Sequence, residues 1–418
     1  MKRLLITCFL MLGSVGGAFS QLTLSECQDR ARANSPIIRQ LALIEKSKDV
    51  NLSNASKLWL PQFGISAMAV AADGMPEISL PGTTAETEHF QLAVMTSLLQ
   101  TVWDGGISSA KVEMTRAETE VEKAKVEVSL YAIRSKVNEL YFGILSINEQ
   151  IKQVDILTEN LVRNRNRAEI SLQNGVIHQS DLDKIQVEIY KAELSKINLT
   201  TYKTAYLKML AVIIGREIGE NEMLEIPKPV NISELGSVGN RPELTMFARR
   251  REAIDAQHSL LSTKITPKIQ LQGMVTTLTP GMRLANTRNN HFLFGALVVQ
   301  WNIGGFYTRK NDLNLLKIKK NIIDTQQNTF MQSIDVELAQ KRSQLERHRL
   351  LVEKDDEIVK LRERVKSASE KKFENGTITM SELIDDINAE NLARQTRNQH
   401  QIEFLMYQYD IKNTLGEK

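Results

Sequence analysis

The chain has 418 residues, with 53 Lys and Arg against 50 Asp and Glu and a formal net charge of +3; without Lys2 and Arg3 the balance is 51 to 50, which gives no footing for nucleic-acid binding. Its two cysteines, Cys8 and Cys27, fall on either side of an expected cleavage point, so no intrachain disulfide is expected in the mature protein. Beyond the N-terminal segment no apolar run reaches the roughly 18 residues of a spanning helix, so a membrane crossing would have to be a closed β-barrel.

Residues 1–20 have the order of a secretory signal: basic Lys2 and Arg3, an apolar run from Leu4 to Gly17, and small Ala18 and Ser20 before the cut. Cys8 lies inside the run rather than at its end, so a lipid-modified N-terminus is not indicated. Ser35 before Pro36 reads as a helix start, because serine caps free amides and proline lacks the amide that would go unpaired. That helix is expected to stop at Pro61. Next, "FGISAMAVA" sets Phe63, Ile65, Ala67 and Ala69 on one face at period two, the pattern of a strand with one apolar side. A turn-rich segment, Asp73 to Glu88, leads to a second apolar run, "FQLAVMTSLL", and to the pair Gly105-Gly106. The pair reads as a sharp change from strand to helix.

A long helix follows, about 107–174, in which Ile133, Val137, Leu140, Ile144, Ile147, Ile151 and Val154 alternate spacings of four and three. At 1.5 Å per residue it would run roughly 100 Å, more than an ordinary globular core needs. It turns at Asn174-Gly175, and a return helix is expected at about 180–214, with Ser180 and Asp183 as a capping box.

The plan then repeats. Pro36 and Pro61 are answered by Pro242 and Pro267 at an offset of 206, Gly105-Gly106 by Gly304-Gly305 at 199, and Gly175 by Gly376 at 201. The first repeat thus spans 21–226, with a β-hairpin at about 62–103. A linker occupies 227–239. The second repeat spans 240–418, with a hairpin at about 268–302, a turn segment Thr279 to Asn290, a long helix at about 306–375 and a return helix at about 379–415 that opens with Thr379 and Glu382. Strands of about 9 to 11 residues suit a tilted bilayer crossing, and four strands cannot close a barrel, so several chains are required.

Signal segment, paired prolines, two hairpins ending in Gly-Gly and two long helices turning at Asn-Gly resemble the TolC-like outer-membrane efflux proteins over about Leu22 to Leu415. The resemblance implies a mainly α chain with a transmembrane β portion. In that arrangement three copies form a 12-stranded barrel in the outer membrane of a Gram-negative bacterium, continued by an α-helical tube across the periplasm. It implies a passive exit duct, working with a periplasmic adaptor and an inner-membrane pump, in contact with outer-membrane lipid and without a cofactor. In the family the helix turns dock the adaptor, which carries that role to Gly175, Val176, Ile177, Gly376, Thr377 and Ile378. The competing reading is that the glycines only let the backbone turn.

The family's polar latch at the closing tip would place Asp181 and Phe373 at the gate. The family's basic position is Ile378 here and its tyrosine is Phe373, so this chain lacks that half of the latch, and Asp181 otherwise serves a helix N-terminus. Glu382 and Asp385 match the family's acidic pore ring. Three copies would bring six carboxylates to a narrow axis, attracting cations and raising carboxyl pKa by like-charge repulsion. The competing reading makes Glu382 a capping residue and Asp385 a solvated charge.

Trp103 and Trp301, at the strand-to-helix changes, fit either a membrane interface or a packed junction. His89, His178, His258, His291, His348 and His400 have no zinc spacing, and no nucleophile elbow or phosphate loop occurs, so neither an enzyme nor a metal site is expected. The rival to a duct is a periplasmic coiled-coil scaffold or adaptor with its hairpins buried in protein.

Overall fold

A computed structural model describes residues 21–71, 78–80, 83–86, 90–219, 222–236, 238–284 and 287–417. The expected signal segment lies outside the described residues, as does part of the Asp73 to Glu88 segment. The order is α1 (Leu24–Asn34), α2 (Arg39–Lys57), β1 (Gln62–Ala71), β2 (Ile78–Leu80), β3 (Thr83–Glu86), β4 (Phe90–Trp103), α3 (Ile107–Gln173) and α4 (Gln179–Ile214). It continues with α5 (Pro242–Ser262), β5 (Lys268–Leu284), β6 (Thr287–Gln300), α6 (Gly305–Glu374) and α7 (Met380–Leu415). Among the described residues no helix is long and apolar enough to cross a membrane.

Contacts divide the chain into two units, and each draws on both sequence repeats. One comprises Met1–Ile38, Ser129–Asn240 and Ile334–Lys418; the other comprises Arg39–Val128 and Arg241–Ser333. Among the described residues of the first unit two apolar cores form. One gathers Cys27 and Ala31 of α1, Val137, Leu140, Tyr141 and Ile144 of α3, Leu207, Leu210 and Ile214 of α4, and Ile402 of α7. Here the 3.5-residue period of α3 is used: Val137, Leu140 and Ile144 are fully buried. Leu22 joins this core and makes a parallel bridge to Leu224, in the connection after α4. The other core lies at the α3/α4 and α6/α7 turns and joins Leu161, Ala168, Ile185 and Ile189 to Met380, Leu383, Ile384 and Ile387.

Three expectations are corrected. Ser35 does not open the first helix: α1 precedes it, and the Ser35 N–H closes that helix on the Ala31 carbonyl at 3.1 Å. The start of α1 is set by Thr23, whose hydroxyl accepts the Glu26 N–H at 3.2 Å. Pro36 instead opens a single 3-10 turn, Pro36–Ile38, that leads into α2. Second, α4 begins at Gln179, so its N3 residue is Asp181 and not Asp183. Third, most of the turn-rich Thr279 to Asn290 segment is strand, because β5 runs to Leu284 and β6 starts at Thr287.

Among the described residues the second unit holds strands β1 to β6. Antiparallel pairing runs β1-β4-β5-β6, and the short β2-β3 hairpin joins the far end of β5 through Ala85 and Leu284. Among the described residues β1 and β6 are each paired along one side only, so the sheet of one chain is open.

Candidate functional site: the sheet, its junctions and the helix turns

Register decides which side chains share a face, because directly opposed residues on paired strands point the same way. One row sets Phe63, Leu98, Gly273 and Gly295 side by side, and the next sets Ile65, Thr96, Val275 and Leu293. Further rows bring Val94 with Ala67, and Leu271 with Leu297. Large apolar side chains from all four long strands therefore occupy one face. In the single chain they are open, with Phe63 76% and Leu293 84% exposed. The opposite face carries more small and polar residues, in rows such as Gly64, Ser97, Met274 and Phe294, or Ser66, Met95, Thr276 and Phe292. A contiguous apolar face of this size is not stable against water and calls for a cover.

At the end of β4 the chain turns into α3 on Asp104, Gly105 and Gly106. Asp104 is buried, and its carboxylate accepts the N–H of Gly106 at 2.9 Å and of Ser108 at 2.7 Å. Burial alone would push this carboxyl up, but hydrogen bonds from Ser108, Gly106 and Ile107 outweigh it and hold it below the usual range. Gly105 and Gly106 have φ of 72° and 88°, the left-handed region. A Cβ on Gly105 would also fall 2.1 Å from Thr266 Oγ1, whose hydroxyl lies 2.9 Å from the Gly105 carbonyl. The second glycine pair works differently. Neither Gly304 nor Gly305 has positive φ; Gly305 begins α6 and packs against the Lys264 carbonyl, 3.3 Å from where a Cβ would sit.

Trp301 anchors that junction by donating from Nε1 to the Ile265 carbonyl at 2.9 Å, with about half of its surface open. Trp103 ends β4 and is also partly open. Asp104 was missed from sequence. Its signal was present in part: Asp104 lies two residues ahead of Gly106, the cap position of α3, and an acidic side chain just ahead of a helix can take its free first-turn amides.

The two helix turns share one geometry. Gly175 (φ 73°) and Gly376 (φ 68°) terminate α3 and α6; the Val176 N–H reaches back to the Ser171 carbonyl at 2.9 Å and the Thr377 N–H to that of Lys372 at 2.9 Å. This six-to-one closure satisfies carbonyls that the helix end leaves free. Nothing lies within 4 Å of a Cβ built on either glycine, and Val176 is 67% exposed. Ile177, Ile378 and Phe373, by contrast, pack against the core beneath the turns. Asp181 accepts the His178 N–H at 3.4 Å and pairs with Lys184 at 3.1 Å, a helix-start role.

Thr379 and Glu382 form the expected capping box. The Thr379 N–H donates to the Glu382 carboxylate at 2.8 Å, and the Glu382 N–H donates to the Thr379 hydroxyl at 3.3 Å. Those contacts, led by the Thr379 N–H, hold the Glu382 carboxyl low, so within one chain its shift is opposite to that expected of a crowded ring. Asp385 is exposed beside it, on the helix face opposite buried Leu383, Ile384 and Ile387. Among the described residues no group of three or more His, Cys, Asp or Glu side chains is arranged to hold a metal ion.

No protein-family model matches the chain, and neither does any curated protein. Solved structures do. The outer-membrane channel OprN superposes with a TM-score of 0.69 at 13% identity, over 96% of this chain and 91% of that one. The outer membrane protein VceC of Vibrio cholerae superposes at 0.65 and 13% identity over 94% and 96%. The open state of the Neisseria gonorrhoeae MtrE outer membrane channel superposes at 0.67 and 14% identity over 94% and 89%. The TolC-like outer-membrane channel fold expected from the sequence is the fold of this chain.

Proposed function

We propose that this chain is one subunit of a homotrimeric outer-membrane exit duct that serves a tripartite efflux or type I secretion system. The observation that carries this reading is the apolar face formed in register by β1, β4, β5 and β6 on a sheet whose outer long strands, β1 and β6, are among the described residues paired along one side only. Edge-to-edge joining of three copies would remove the open edges and make 12 long strands. Lipid would then cover the apolar face, while the opposite, more polar face would line the lumen. Passage would be passive, with energy supplied by an inner-membrane pump through an adaptor, and the helices would extend into the periplasm.

In this reading the exposed rims of the turns, Gly175, Val176, Gly376 and Thr377, meet the adaptor, while Ile177 and Ile378 support them from beneath. Asp181 and Phe373 flank the gate. Glu382 and Asp385 line the narrow axis as an acidic ring, with Glu382 also capping α7. Trp103 and Trp301 sit at the membrane-water boundary.

The test is to reconstitute the purified mature protein in a planar bilayer and record single-channel conductance and ion selectivity. Small cation-preferring openings from a trimer are expected. Release from the envelope without detergent, together with electrical silence, would overturn the duct in favour of a periplasmic scaffold.

A further inference from the structure

Strand β4 changes phase just before it becomes α3. Along most of its length the even-numbered residues lie on the apolar face, and Gln100 stands opposite Leu271 there. A register shift between Thr101 and Trp103 then sets Trp103 directly opposite Ile269, which is itself paired with Val299. Ile269 shares its face with Leu271, so the extra residue in β4 carries Trp103 onto the apolar side. Without the shift Trp103 would follow Leu99 and Thr101 to the opposite face. On the same side Gln100 donates from Nε2 to the Trp59 carbonyl at 2.7 Å, which holds the α2–β1 connection against this end of the sheet.

Beside the two tryptophans, wholly within the second unit, lies an open groove of about 700 Å³. It is lined by Trp59 of that connection, by Trp103, and by Ser109, Val112, Glu113 and Arg116 of the start of α3. The two tryptophans are 39% and 43% exposed, so they wall the groove without closing it. Glu113 and Arg116 are exposed and three residues apart on the helix, and among the described residues neither makes an ion pair or a side-chain hydrogen bond. Asp104 is already committed to the N–H groups of Gly106 and Ser108. The free charges that the groove presents are therefore one carboxylate and one guanidinium.

Their depth suits a lipid headgroup. From Ile107, Glu113 lies roughly 9 Å and Arg116 roughly 14 Å along the helix. Helical side chains lean toward the helix N-terminus, which brings both charges back toward the tryptophans. The polar layer of a bilayer is roughly 5–7 Å deep on each side. Two tryptophans at the apolar boundary, with both charges in the layer beyond, follow the order of a phospholipid from acyl chain to headgroup.

We propose that this groove binds the headgroup of a zwitterionic phospholipid, with Arg116 on its phosphate, Glu113 on its primary ammonium and its acyl chains along Trp103 and the apolar face. The site rests on the exit-duct reading, which puts lipid against that face. A guanidinium offers a phosphate two parallel donors, and a carboxylate accepts from an ammonium. A phosphoglycerol headgroup has no ammonium and leaves Glu113 facing negative charge. The groove should therefore select phosphatidylethanolamine over phosphatidylglycerol.

The experiment reconstitutes the purified mature protein in phosphatidylcholine vesicles that contain brominated phosphatidylethanolamine or brominated phosphatidylglycerol. Quenching of tryptophan fluorescence reads lipid beside Trp59 and Trp103, and Trp301 supplies a background common to every variant. The ethanolamine lipid should bind about two- to fivefold more tightly, the scale of one ion pair at a wet surface. Glu113→Gln should erase that preference without weakening the glycerol lipid, whereas Arg116→Gln should weaken both. Equal binding of the two lipids by the native protein, or an unchanged preference in Glu113→Gln, overturns the site. Absence of quenching by either lipid in protein that has entered the vesicles also overturns it, because a neighbouring copy then covers the groove. Protein that never enters the vesicles defeats the exit-duct reading and this site with it, so the two failures are told apart.

Discussion

Replacing Asp104 by asparagine removes a charge without removing bulk, at the point where β4 becomes α3. In the native junction the buried carboxylate accepts two backbone N–H groups at 2.7 and 2.9 Å. Asp104 takes the Ser108 amide as an N-cap side chain would, and loss of such an acceptor costs about 0.5–2 kcal/mol, while loss of a negative charge at a helix N-terminus costs about 0.3–1 kcal/mol. The substituted carboxamide keeps one acceptor oxygen, so the deficit should lie near 1 kcal/mol, with Asp104→Ala nearer the upper end of the capping range. A deficit of that size speeds local amide exchange roughly fivefold at Gly106, Ser108 and their neighbours.

The pH dependence identifies the charge. A carboxyl held below its unfolded value contributes stability that is fully present above about pH 4 and is lost as pH falls through the folded value. The gap between native and Asp104→Asn protein should therefore be constant at neutral pH and shrink below about pH 4. Hydrogen exchange of the junction and thermal melts followed by helical ellipticity, both in detergent, measure it. A gap that persists undiminished at acid pH, or no gap at pH 7, would refute the capping argument.

The remaining expectations concern the glycines, the acidic pair and the sheet. Gly105→Ala should destabilise strongly, since it combines left-handed strain of about 1–2 kcal/mol with a collision against Thr266, whereas Gly305→Ala should cost less; paired unfolding curves decide between them. Gly376→Ala and Gly376→Trp share the same backbone strain in open space, so only the bulkier variant should abolish transport while trimers remain in the membrane; surviving transport in Gly376→Trp sinks the docking proposal. Losing cation selectivity in Asp385→Asn and in Glu382→Ala, Asp385→Ala is the expected bilayer result, and unchanged selectivity counts against the ring. Leu293→Arg on the apolar face should lower the yield of membrane-assembled protein, by a cost of about 2–4 kcal/mol if it lies at mid-depth, whereas Ser97→Arg on the opposite face should assemble; equal behaviour of the two would contradict the assignment of faces.

The parts of this fold legible in sequence were those with a local cause. Gly175 and Gly376 each stop a helix because a left-handed residue is needed there, and Thr379 with Glu382 starts one because the two side chains satisfy each other's backbone. The strand faces followed from period-two alternation in "FGISAMAVA". What failed depended on partners far away in the chain. Thr279 to Asn290 looked like a turn because Pro280, Asn289 and Asn290 are turn formers, yet much of it pairs as strand with β6 or with β3. Propensity is a weak prior when an extended ladder is available. The start of α1 is hidden in sequence behind Pro36, the stronger start signal, although Thr23 and Glu26 mark a start well before it. Contacts between the helices of a pair have no sequence signature at all: His348 Nε2 lies 2.8 Å from Glu403 Oε2, 55 residues away, only because α6 and α7 turn back on each other.

The apolar face also weighs between the two functional readings. A scaffold with its hairpins buried in protein would need a partner surface for every strand, and a sandwiched sheet tends to be apolar on both sides. Here Ser66, Ser97, Gln272 and Thr276 share their face with Met95, Met274, Phe292 and Phe294, opposite Phe63, Ile65, Val275 and Leu293, so the two faces differ in degree. A sheet with one face the more polar suits one apolar and one aqueous neighbour better than two apolar ones. An open sheet with that asymmetry still has edges at β1 and β6 that are unpaired among the described residues, which hydrocarbon does not tolerate. Pairing β6 of one copy with β1 of the next satisfies both requirements, because it keeps the apolar side outward and ends every ladder on another strand. Four long strands per chain are too few to enclose a lumen, so the closure must repeat, and the duct reading therefore depends on assembly in a way that the scaffold reading does not.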